Sequence, residues 1–285
     1  METYELVLAD PAKNITLLVL TPVPAEDRAA VAVKLLAHPS LRAEQAGFAV
    51  PPHSKNALGR LEMMGGEFCG NAARSFGLYM ARAAGLRNRR GSPGQAQRVL
   101  VECSGAENPV PVRVNLETGW AEAEIPPPLY TRSLAWEGRV LPVCVFPGIT
   151  HLIAPGIEPG EKTFFALKRA VEAAGPPAGE SPDALGVLFL ETPEDPGGEA
   201  AMTPAVYVYK TGSLVFESSC GSGSAAVGIW KSRDLADGEA RYRVRQRGGT
   251  IEVRVVKRGG LVETAAIGGP VTLRPLTLPA GTCRD

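Results

Sequence analysis

The stretch on which the fold of this sequence depends is GEFCGNAA, at residues 66–73, and a second version of it, SSCGSGSAA, stands at residues 218–226. In each, a cysteine is followed at once by a glycine and a small polar residue, and then by an apolar segment of helical length. A further glycine stands eight residues after the cysteine in both copies. We therefore predict that Cys69 and Cys220 occupy matching positions, each at the start of a helix.

The elements predicted around the two cysteines also follow the same order. Periodicity and turn residues predict helices at 24–38, 70–84, 162–174 and after Cys220. Strands are predicted at 6–8, 15–20, 44–50, 99–102, 110–114, 120–125, 140–146, 186–190, 205–209, 242–246 and 250–256, and residues 61–64 lead into the Cys69 segment. The order helix, strand, cysteine turn, helix, hairpin thus occurs twice. Segments 87–94, 175–183 and 192–204 are predicted to be surface loops.

A domain boundary is predicted at residues 126–128, since three consecutive prolines can neither pair in a sheet nor continue a helix. The expected fold class is α/β (α+β), with similar domains at 1–126 and 127–272 facing each other across a cleft. We expect the C-terminal tail, 273–285, to pack on the first domain.

Composition excludes several classes of function. The 285 residues are 45% hydrophobic and 21% charged, with Lys plus Arg and Asp plus Glu both at 30. A balanced charge argues against nucleic-acid and membrane partners. No apolar run approaches the roughly 20 residues that cross a bilayer, and no signal-peptide pattern is present, so we expect a cytoplasmic protein. Five cysteines without a CxxC pair suggest neither a disulfide framework nor a metal site.

A cysteine at a helix N-terminus lies near unpaired backbone N–H groups and the positive end of the helix dipole. Both favour the thiolate, so the pKa of Cys69 and Cys220 is expected to fall below the ordinary value of about 8.5. The same N–H groups can hold a substrate carboxylate. Two such turns that converge would place one sulfur on each face of an α-carbon, as a two-base racemase needs.

The alternative for each cysteine is a small apolar core residue, as most free cysteines are. That alternative suits Cys103 and Cys144, which fall in strand-like runs, while Cys283 lies in the tail. The duplicated surroundings of Cys69 and Cys220 favour chemistry over packing.

The two cysteine motifs resemble the active-site signatures of the diaminopimelate epimerase superfamily, which are pyridoxal-independent isomerases. The resemblance spans nearly the whole chain and implies two pseudo-symmetric domains, each a central helix wrapped by strands, with the active site between them. It implies that Cys69 and Cys220 are the acid/base pair, that no cofactor is needed, and that the protein forms a homodimer. Four residues would supply backbone amides to the α-carboxylate: Gly70, Asn71, Gly221 and Ser222.

The sequence departs from diaminopimelate epimerase itself at two places that bind the distal end of that substrate. The stretch 209–217 carries no arginine, and the segment 148–151 lacks the expected asparagine. The closer resemblance is to the histidine racemases of staphylopine-type opine metallophore biosynthesis, through residues 10–16, 44–48, 67–72 and 213–223. This resemblance implies a histidine substrate.

Four further residues are candidates for substrate binding, each with a structural alternative. Asn14 donates to the substrate or is a polar residue of a turn, and Glu44 accepts from an imidazole or an ammonium group or is an exposed loop carboxylate. His151 lines the pocket or hydrogen-bonds the backbone. Glu217 contacts the substrate ammonium group or bonds the amides of its own turn.

The predicted function is therefore the interconversion of L- and D-histidine by two cysteines, with a small-molecule substrate and a product used in an opine-type metallophore. One alternative is diaminopimelate epimerase in lysine and cell-wall biosynthesis. Another is a family member that binds a ligand without catalysis, which the presence of both cysteines argues against.

Overall fold

The computed structural model describes residues 3–87, 96–175, 182–191 and 198–279. The chain divides into two compact units, one formed by Met1–Glu124 with Ile267–Asp285 and the other by Ile125–Ala266. Strands predominate over helices in the described ranges, so the fold is a mixed α/β fold rich in sheet.

The bounds of the elements are as follows. The helices are α1 (Arg28–Leu36), α2 (Gly70–Ala83), α3 (Glu161–Ala173) and α4 (Gly221–Lys231), and a 3₁₀ turn at Ala25–Asp27 precedes α1. The strands are β1 (Thr3–Asp10), β2 (Thr16–Val19), β3 (Gln45–Val50), β4 (Arg60–Met63), β5 (Gln97–Cys103), β6 (Val110–Asn115), β7 (Trp120–Ile125), β8 (Tyr130–Trp136), β9 (Arg139–Phe146), β10 (Ile149–Pro155), β11 (Ala184–Leu190), β12 (Glu199–Val208), β13 (Ser213–Phe216), β14 (Gly238–Gln246), β15 (Gly249–Arg258), β16 (Leu261–Pro270) and β17 (Thr272–Pro279).

In the first unit, helical crossovers join parallel strands. Helix α1 connects the parallel pair β2 and β3, and helix α2 connects the parallel pair β4 and β5. The other pairings are antiparallel: β1 with β2 and β17, β3 with β4, and β6 with β5 and β7. Parallel strands require such crossovers. The crossover from β4 to β5 places the start of α2 shortly after β4.

Helix α2 is buried in the first unit because its residues are apolar or small on nearly every side. Ala72, Ala73, Phe76 and Leu78 are each fully buried, and the helix packs in one hydrophobic cluster with strand residues such as Val112. A helix without an exposed face at its start holds its first turn, and therefore Cys69, in a fixed position.

The second unit uses the same kinds of connection. Helix α3 lies between the parallel strands β10 and β11, and α4 follows β13 and leads to β14, which pairs in parallel with β12. Antiparallel pairs complete the described sheet: β9 with β8 and β10, β12 with β11 and β13, and β14 with β15. In α4, Ala225, Ala226 and Val227 are fully buried.

The glycine eight residues after each cysteine makes a close helix–strand contact within its own unit. A Cβ atom added to Gly77 would lie 2.7 Å from Cγ1 of Val112, and one added to Gly228 would lie 2.5 Å from Cγ1 of Val253. Both distances are too short for real atoms, so only glycine lets these helices approach their strands so closely. The spacing found in the sequence therefore has a packing cause.

Many predicted elements are confirmed. The four helices form where periodicity places them, and α2 ends before Gly85, which adopts φ +66° as a C-terminal glycine should. The hairpin of β14 and β15 turns at Arg247 and Gly248, next to the predicted glycine pair.

The sequence did not predict β4, β8, β10, β13, β16 or β17, and residues 199–204, predicted as loop, belong to β12. Strand β13 is only four residues long, and the other segments contain prolines, glycines or charged residues that weaken the local strand signal. Pairing with neighbouring strands outweighs this weak signal. The predicted loop at 88–94, most of 175–183, the segment 192–197 and Cys283 lie outside the described residues.

None of the described helices has both the length and the apolar character needed to cross a membrane.

Candidate active site

Cys69 is the N-cap residue of α2 and has an extended backbone, with φ −126° and ψ 111°. Its carbonyl oxygen accepts the first helical hydrogen bond, from Ala73 N at 2.9 Å. The N–H groups of the first turn point away from the rest of the helix and have no helical acceptors. The sulfur and these N–H groups therefore share one end of α2.

The sulfur of Cys69 receives hydrogen bonds but lies in a poorly solvated place. Gln45 donates from Nε2 to Sγ at 3.2 Å. Burial raises the pKa of Cys69, opposed by hydrogen bonds from the Ala72 backbone and the Gln45 side chain. The predicted lowering of this pKa is wrong, because burial destabilises the thiolate by more than these hydrogen bonds stabilise it.

The segment before Cys69 is held by the turn that follows β5. Ser104 Oγ accepts from the backbone nitrogen of Met63 at 2.9 Å and donates to the carbonyl oxygen of Glu67 at 2.9 Å. Gly105 adopts φ +71° directly against the backbone of Glu67 and Phe68. One turn thus sets the path of the chain into Cys69.

Asn14 lies on a turn of unusual conformation between β1 and β2. Ala12 and Lys13 have φ values of +69° and +63°, which non-glycine residues adopt at a cost. Asp10 Oδ1 accepts from the Lys13 backbone nitrogen at 2.7 Å and stabilises the turn. Asn14 in turn donates from Nδ2 to Glu44 Oε2 at 2.9 Å. Asn14 and Glu44 thus lie in the polar network that reaches Cys69.

Cys220 is the N-cap residue of α4 and has φ −121° and ψ 116°, almost the same backbone conformation as Cys69. Its sulfur accepts from Gly223 N at 3.4 Å and lies 3.6 Å from Ser222 Oγ. Its backbone nitrogen donates to Oε1 of Gln246 at 2.7 Å, and Gln246 also donates to Ser224 Oγ at 3.0 Å. The buried amide of Gln246 thereby ties this turn to the end of β14.

The pKa of Cys220 is raised well above its ordinary value, first by burial and then by the carboxylate of Glu217. Hydrogen bonds from Gly223 and Ser222 act in the opposite direction. Here too the predicted lowering is wrong. Cys220 is 6% exposed, whereas Cys69 keeps more contact with solvent. The carboxylate of Glu217 lies beside the thiol.

His151 is fully buried in β10, with Nε2 2.9 Å from Ser222 Oγ. Burial lowers its pKa to about 3, so the ring is neutral at physiological pH. Space for the ring comes from Gly186 on β11, where an added Cβ would lie 2.8 Å from Cε1. Ser222 thus lies between the ring of His151 and the sulfur of Cys220.

The structure groups the predicted site residues by unit. Asn14, Glu44, Gly70 and Asn71 lie with Cys69, and His151, Glu217, Gly221 and Ser222 lie with Cys220. The sequence interpretation missed Gln45 and Gln246, although Gln45 stood in a segment already noted. Gln246 carried no local signal, because its partners Cys220 and Ser224 lie 26 and 22 residues earlier in the chain.

The remaining described cysteines are core residues, as predicted. Cys103 is 1% and Cys144 3% exposed, and burial raises the pKa of both, that of Cys144 to about 12. In the described ranges, no group of three or more His, Cys, Asp or Glu side chains is arranged to hold a metal ion.

Sequence comparison places the chain among racemases. Residues 4–275 match the family described as the histidine racemase CntK N-terminal domain. A histidine racemase of Fusobacterium nucleatum subsp. nucleatum is 28% identical over 235 residues, covering 81% of each chain. A histidine racemase of Staphylococcus aureus is 23% identical over 272 residues, covering 92% of each.

Solved structures agree on the fold. A hydroxyproline epimerase of Agrobacterium vitis superimposes with a TM-score of 0.61 at 13% identity, covering 98% of this chain and 92% of that one. A probable proline racemase of Agrobacterium radiobacter gives a TM-score of 0.64 at 14% identity, covering 95% and 92%. The chain belongs to the histidine racemase CntK N-terminal domain family and is an isomerase of the amino-acid racemase type.

Proposed function

We propose that this protein interconverts L- and D-histidine without a cofactor, with Cys69 and Cys220 as the two acid/base groups. The observation that carries the proposal is that each unit presents one cysteine as the N-cap of a buried helix, in nearly the same backbone conformation. The relatives that share most of the chain are named histidine racemases, which supports histidine as the substrate.

The chemistry follows from what a helix N-terminus offers. The α-carboxylate would bind backbone N–H groups of the first helical turns, from Gly70 and Asn71 at one helix and Gly221 and Ser222 at the other. One thiolate removes the α-proton while the opposite thiol delivers a proton to the other face, so the configuration inverts. The helix N–H groups stabilise the negative charge that develops on the carboxylate.

The remaining candidates would bind the rest of the substrate. Glu44 and Glu217 carry carboxylates that can accept from the ammonium group and the imidazole N–H, and Asn14 offers an amide next to Glu44. Glu217 is the better placed of the two for the reacting centre, because its carboxylate lies beside the Cys220 thiol. His151 would support this side of the pocket through Ser222.

We further propose domains at 1–126 and 127–272, a homodimer, a cytoplasmic location and a product that enters an opine-type metallophore. The two compact units, with bounds at Glu124 and Ile267, support the domain proposal. The pairing of β17 with β1 supports the placement of the tail on the first domain. The metallophore role rests on the resemblance of the four sequence segments.

The test is exchange of the α-proton in deuterated water, followed by NMR over a panel of L-amino acids that includes L-histidine and LL-diaminopimelate. The protein is kept reduced and receives no pyridoxal phosphate. Exchange with histidine, accompanied by the D-isomer, is the expected result. Exchange with diaminopimelate alone would overturn the proposed substrate, and exchange with no amino acid would overturn the proposed chemistry.

The rate of racemisation should depend steeply on pH. Because the pKa of both thiols is raised, the thiolate that starts the reaction is a minor form at neutral pH. We expect kcat/KM to rise about tenfold per pH unit from about 7 to 8.5, since it follows the free enzyme's thiolate fraction. Circular dichroism at each pH checks that the fold is unchanged. A plateau from pH 7 upward would show that the helix N-termini outweigh burial after all.

A further inference from the structure

A fully buried arginine lies on α2, one turn beyond Cys69. Arg74 is 0% exposed, donates from Nε to Asn71 Oδ1 at 3.1 Å and from Nη1 to the carbonyl oxygen of Gly269 at 3.0 Å. Burying a charged side chain costs free energy, so packing alone does not explain an arginine at this position. Its partner Asn71, also buried, connects it to the polar groups around the cysteine.

Three side-chain amides link Arg74 to the sulfur. Asn71 donates from Nδ2 to Asn14 Oδ1 at 3.2 Å, and Gln45 donates from Nε2 to the same oxygen at 3.0 Å. Gln45 Nε2 is also 3.2 Å from Cys69 Sγ. The other end of the Asn14 amide, Nδ2, faces Glu44 Oε2 at 2.9 Å. The chain thus begins at a guanidinium group, branches at Asn14 and ends at a carboxylate and a thiol.

The orientation of an isolated side-chain amide is ambiguous, because its oxygen and nitrogen occupy nearly the same volume. Here the two ends remove the ambiguity. A guanidinium group only donates, so Asn71 must turn its oxygen to Arg74 and its nitrogen to Asn14. An ionised carboxylate only accepts, so Asn14 must turn its nitrogen to Glu44. Both requirements give Asn14 the same orientation, with Oδ1 towards Gln45.

The Asn14 oxygen then decides which end of Gln45 meets the sulfur. The Gln45 nitrogen has three neighbouring acceptors: Asn14 Oδ1, Cys69 Sγ and Thr16 Oγ1, the last at 2.8 Å. The thiol can donate or accept, so it selects no orientation. The Thr16 hydroxyl donates to the carbonyl oxygen of Asn14 at 3.4 Å and therefore accepts from Gln45. The side-chain oxygens of Asn14 and Thr16 thus both require a donor opposite them, and the two N–H groups of Gln45 are shared among these oxygens and the sulfur.

We propose that Arg74 is a positioning residue for the reaction: through Asn71 and Asn14 it orients the Gln45 amide so that an N–H group, not the carbonyl oxygen, faces the sulfur of Cys69. A donor at the sulfur favours the thiolate, whereas an oxygen there would favour the thiol. Because the buried guanidinium group can only donate, it fixes the orientation of Asn71, and through Asn71 and Asn14 that of the Gln45 amide. The consequence for turnover rests on the proposed role of Cys69, but the thiol itself can be studied without turnover.

The experiment measures how fast iodoacetamide alkylates Cys69 between pH 7 and pH 10, with the modified peptides quantified by mass spectrometry. Cys220, in the other unit, is an internal control in every sample. We expect Arg74→Met to slow alkylation of Cys69 at pH 8 by about tenfold, which is the loss of one hydrogen bond to a charged group. Gln45→Leu, which removes the donor itself, should slow it to a similar extent. Cys220 should react as in the unaltered protein.

The double variant Arg74→Met/Gln45→Leu separates positioning from charge. If Arg74 acts only through the Gln45 amide, the double variant should be no slower than Gln45→Leu alone. If the arginine acts on the sulfur by its charge, the two effects should multiply to about a hundredfold, which would overturn the proposal. Equal loss of reactivity at Cys69 and Cys220 would also overturn it, since that marks general unfolding.

Should Arg74→Met be recovered unfolded, Asn71→Leu takes its place in the same cycle, because it breaks the chain one link nearer to the sulfur while keeping the arginine charge. We again expect the double variant with Gln45→Leu to be alkylated at Cys69 no more slowly than Gln45→Leu alone. Rate losses that multiply in the double variant would again contradict the proposal. Deuterium exchange is measured in parallel on the unaltered protein. If the alkylation rates support the positioning role but no amino acid exchanges its α-proton, the positioning role stands and the racemase proposal is refuted. If histidine exchanges its α-proton but the effects of the two substitutions multiply, the racemase proposal stands and the positioning role is refuted.

Discussion

Replacement of Cys69 or Cys220 by serine is expected to lower the rate of histidine racemisation by about two to four orders of magnitude, the usual contribution of a general acid or base. The serine hydroxyl is close in size to the thiol but does not ionise in the working pH range. Each variant therefore keeps the N-cap position and its hydrogen bonds while it loses the proton transfer on one face. Serine is also a favoured N-cap residue, so α2 and α4 should remain folded.

The measurement is the change in optical rotation or circular dichroism of L-histidine with time, at equal protein concentrations. Cys144→Ala is the matched control, because Cys144 is a buried strand cysteine and should affect packing alone. We expect this variant to racemise histidine at close to the normal rate. Near-normal turnover by either Cys69→Ser or Cys220→Ser would contradict the two-base mechanism.

Gly105→Ala should lower the free energy of unfolding by about 2–5 kcal/mol. One contribution of about 1–2 kcal/mol comes from the left-handed backbone, φ +71°, in which a Cβ is crowded. The other, of about 1–3 kcal/mol, is steric, because the new Cβ would lie 2.8 Å from the carbonyl carbon of Glu67 and still closer to the backbone nitrogen of Phe68. Backbone atoms cannot rotate away as a side chain can, so the segment that leads into Cys69 must shift.

Gly85→Ala is the control for this second substitution. Gly85 has almost the same backbone, φ +66°, but an added Cβ would meet nothing within 4 Å. It should cost only the conformational part, about 1–2 kcal/mol. Urea unfolding followed by circular dichroism gives both values, and equal losses for the two variants would refute the steric contribution at Gly105.

Much of the architecture could be predicted because its causes are local. Apolar periodicity and the terminating Gly85 predict helix α2, and the glycine pair predicts the hairpin of β14 and β15. By contrast, β17 contains prolines and forms a strand because β1 offers it hydrogen bonds. Its partner lies far away in sequence, so no local pattern reveals the strand.

The site divides in the same way. Cys69 and Cys220 were identifiable because residue type, the following glycine and helix position all lie within one short segment. The direction of their pKa shift was not, because the number of donors is local but the extent of burial is not. Arg74 illustrates the same limit: in the sequence it is one more polar residue on a helix, and only its burial and its hydrogen bond to Asn71 lead to the proposed positioning role.

By itself, the sequence determined the family, the mixed α/β class and the two helix-start cysteines, because these follow from short-range spacing and residue chemistry. Only the tertiary structure decided which polar groups surround each sulfur, that burial outweighs the helix N-terminus in setting the thiol pKa, and that Ser104 and Gly105 hold the first cysteine turn. The physical reason is that solvation, hydrogen-bond direction and steric contact depend on atoms that come together only when strands distant in the chain pair.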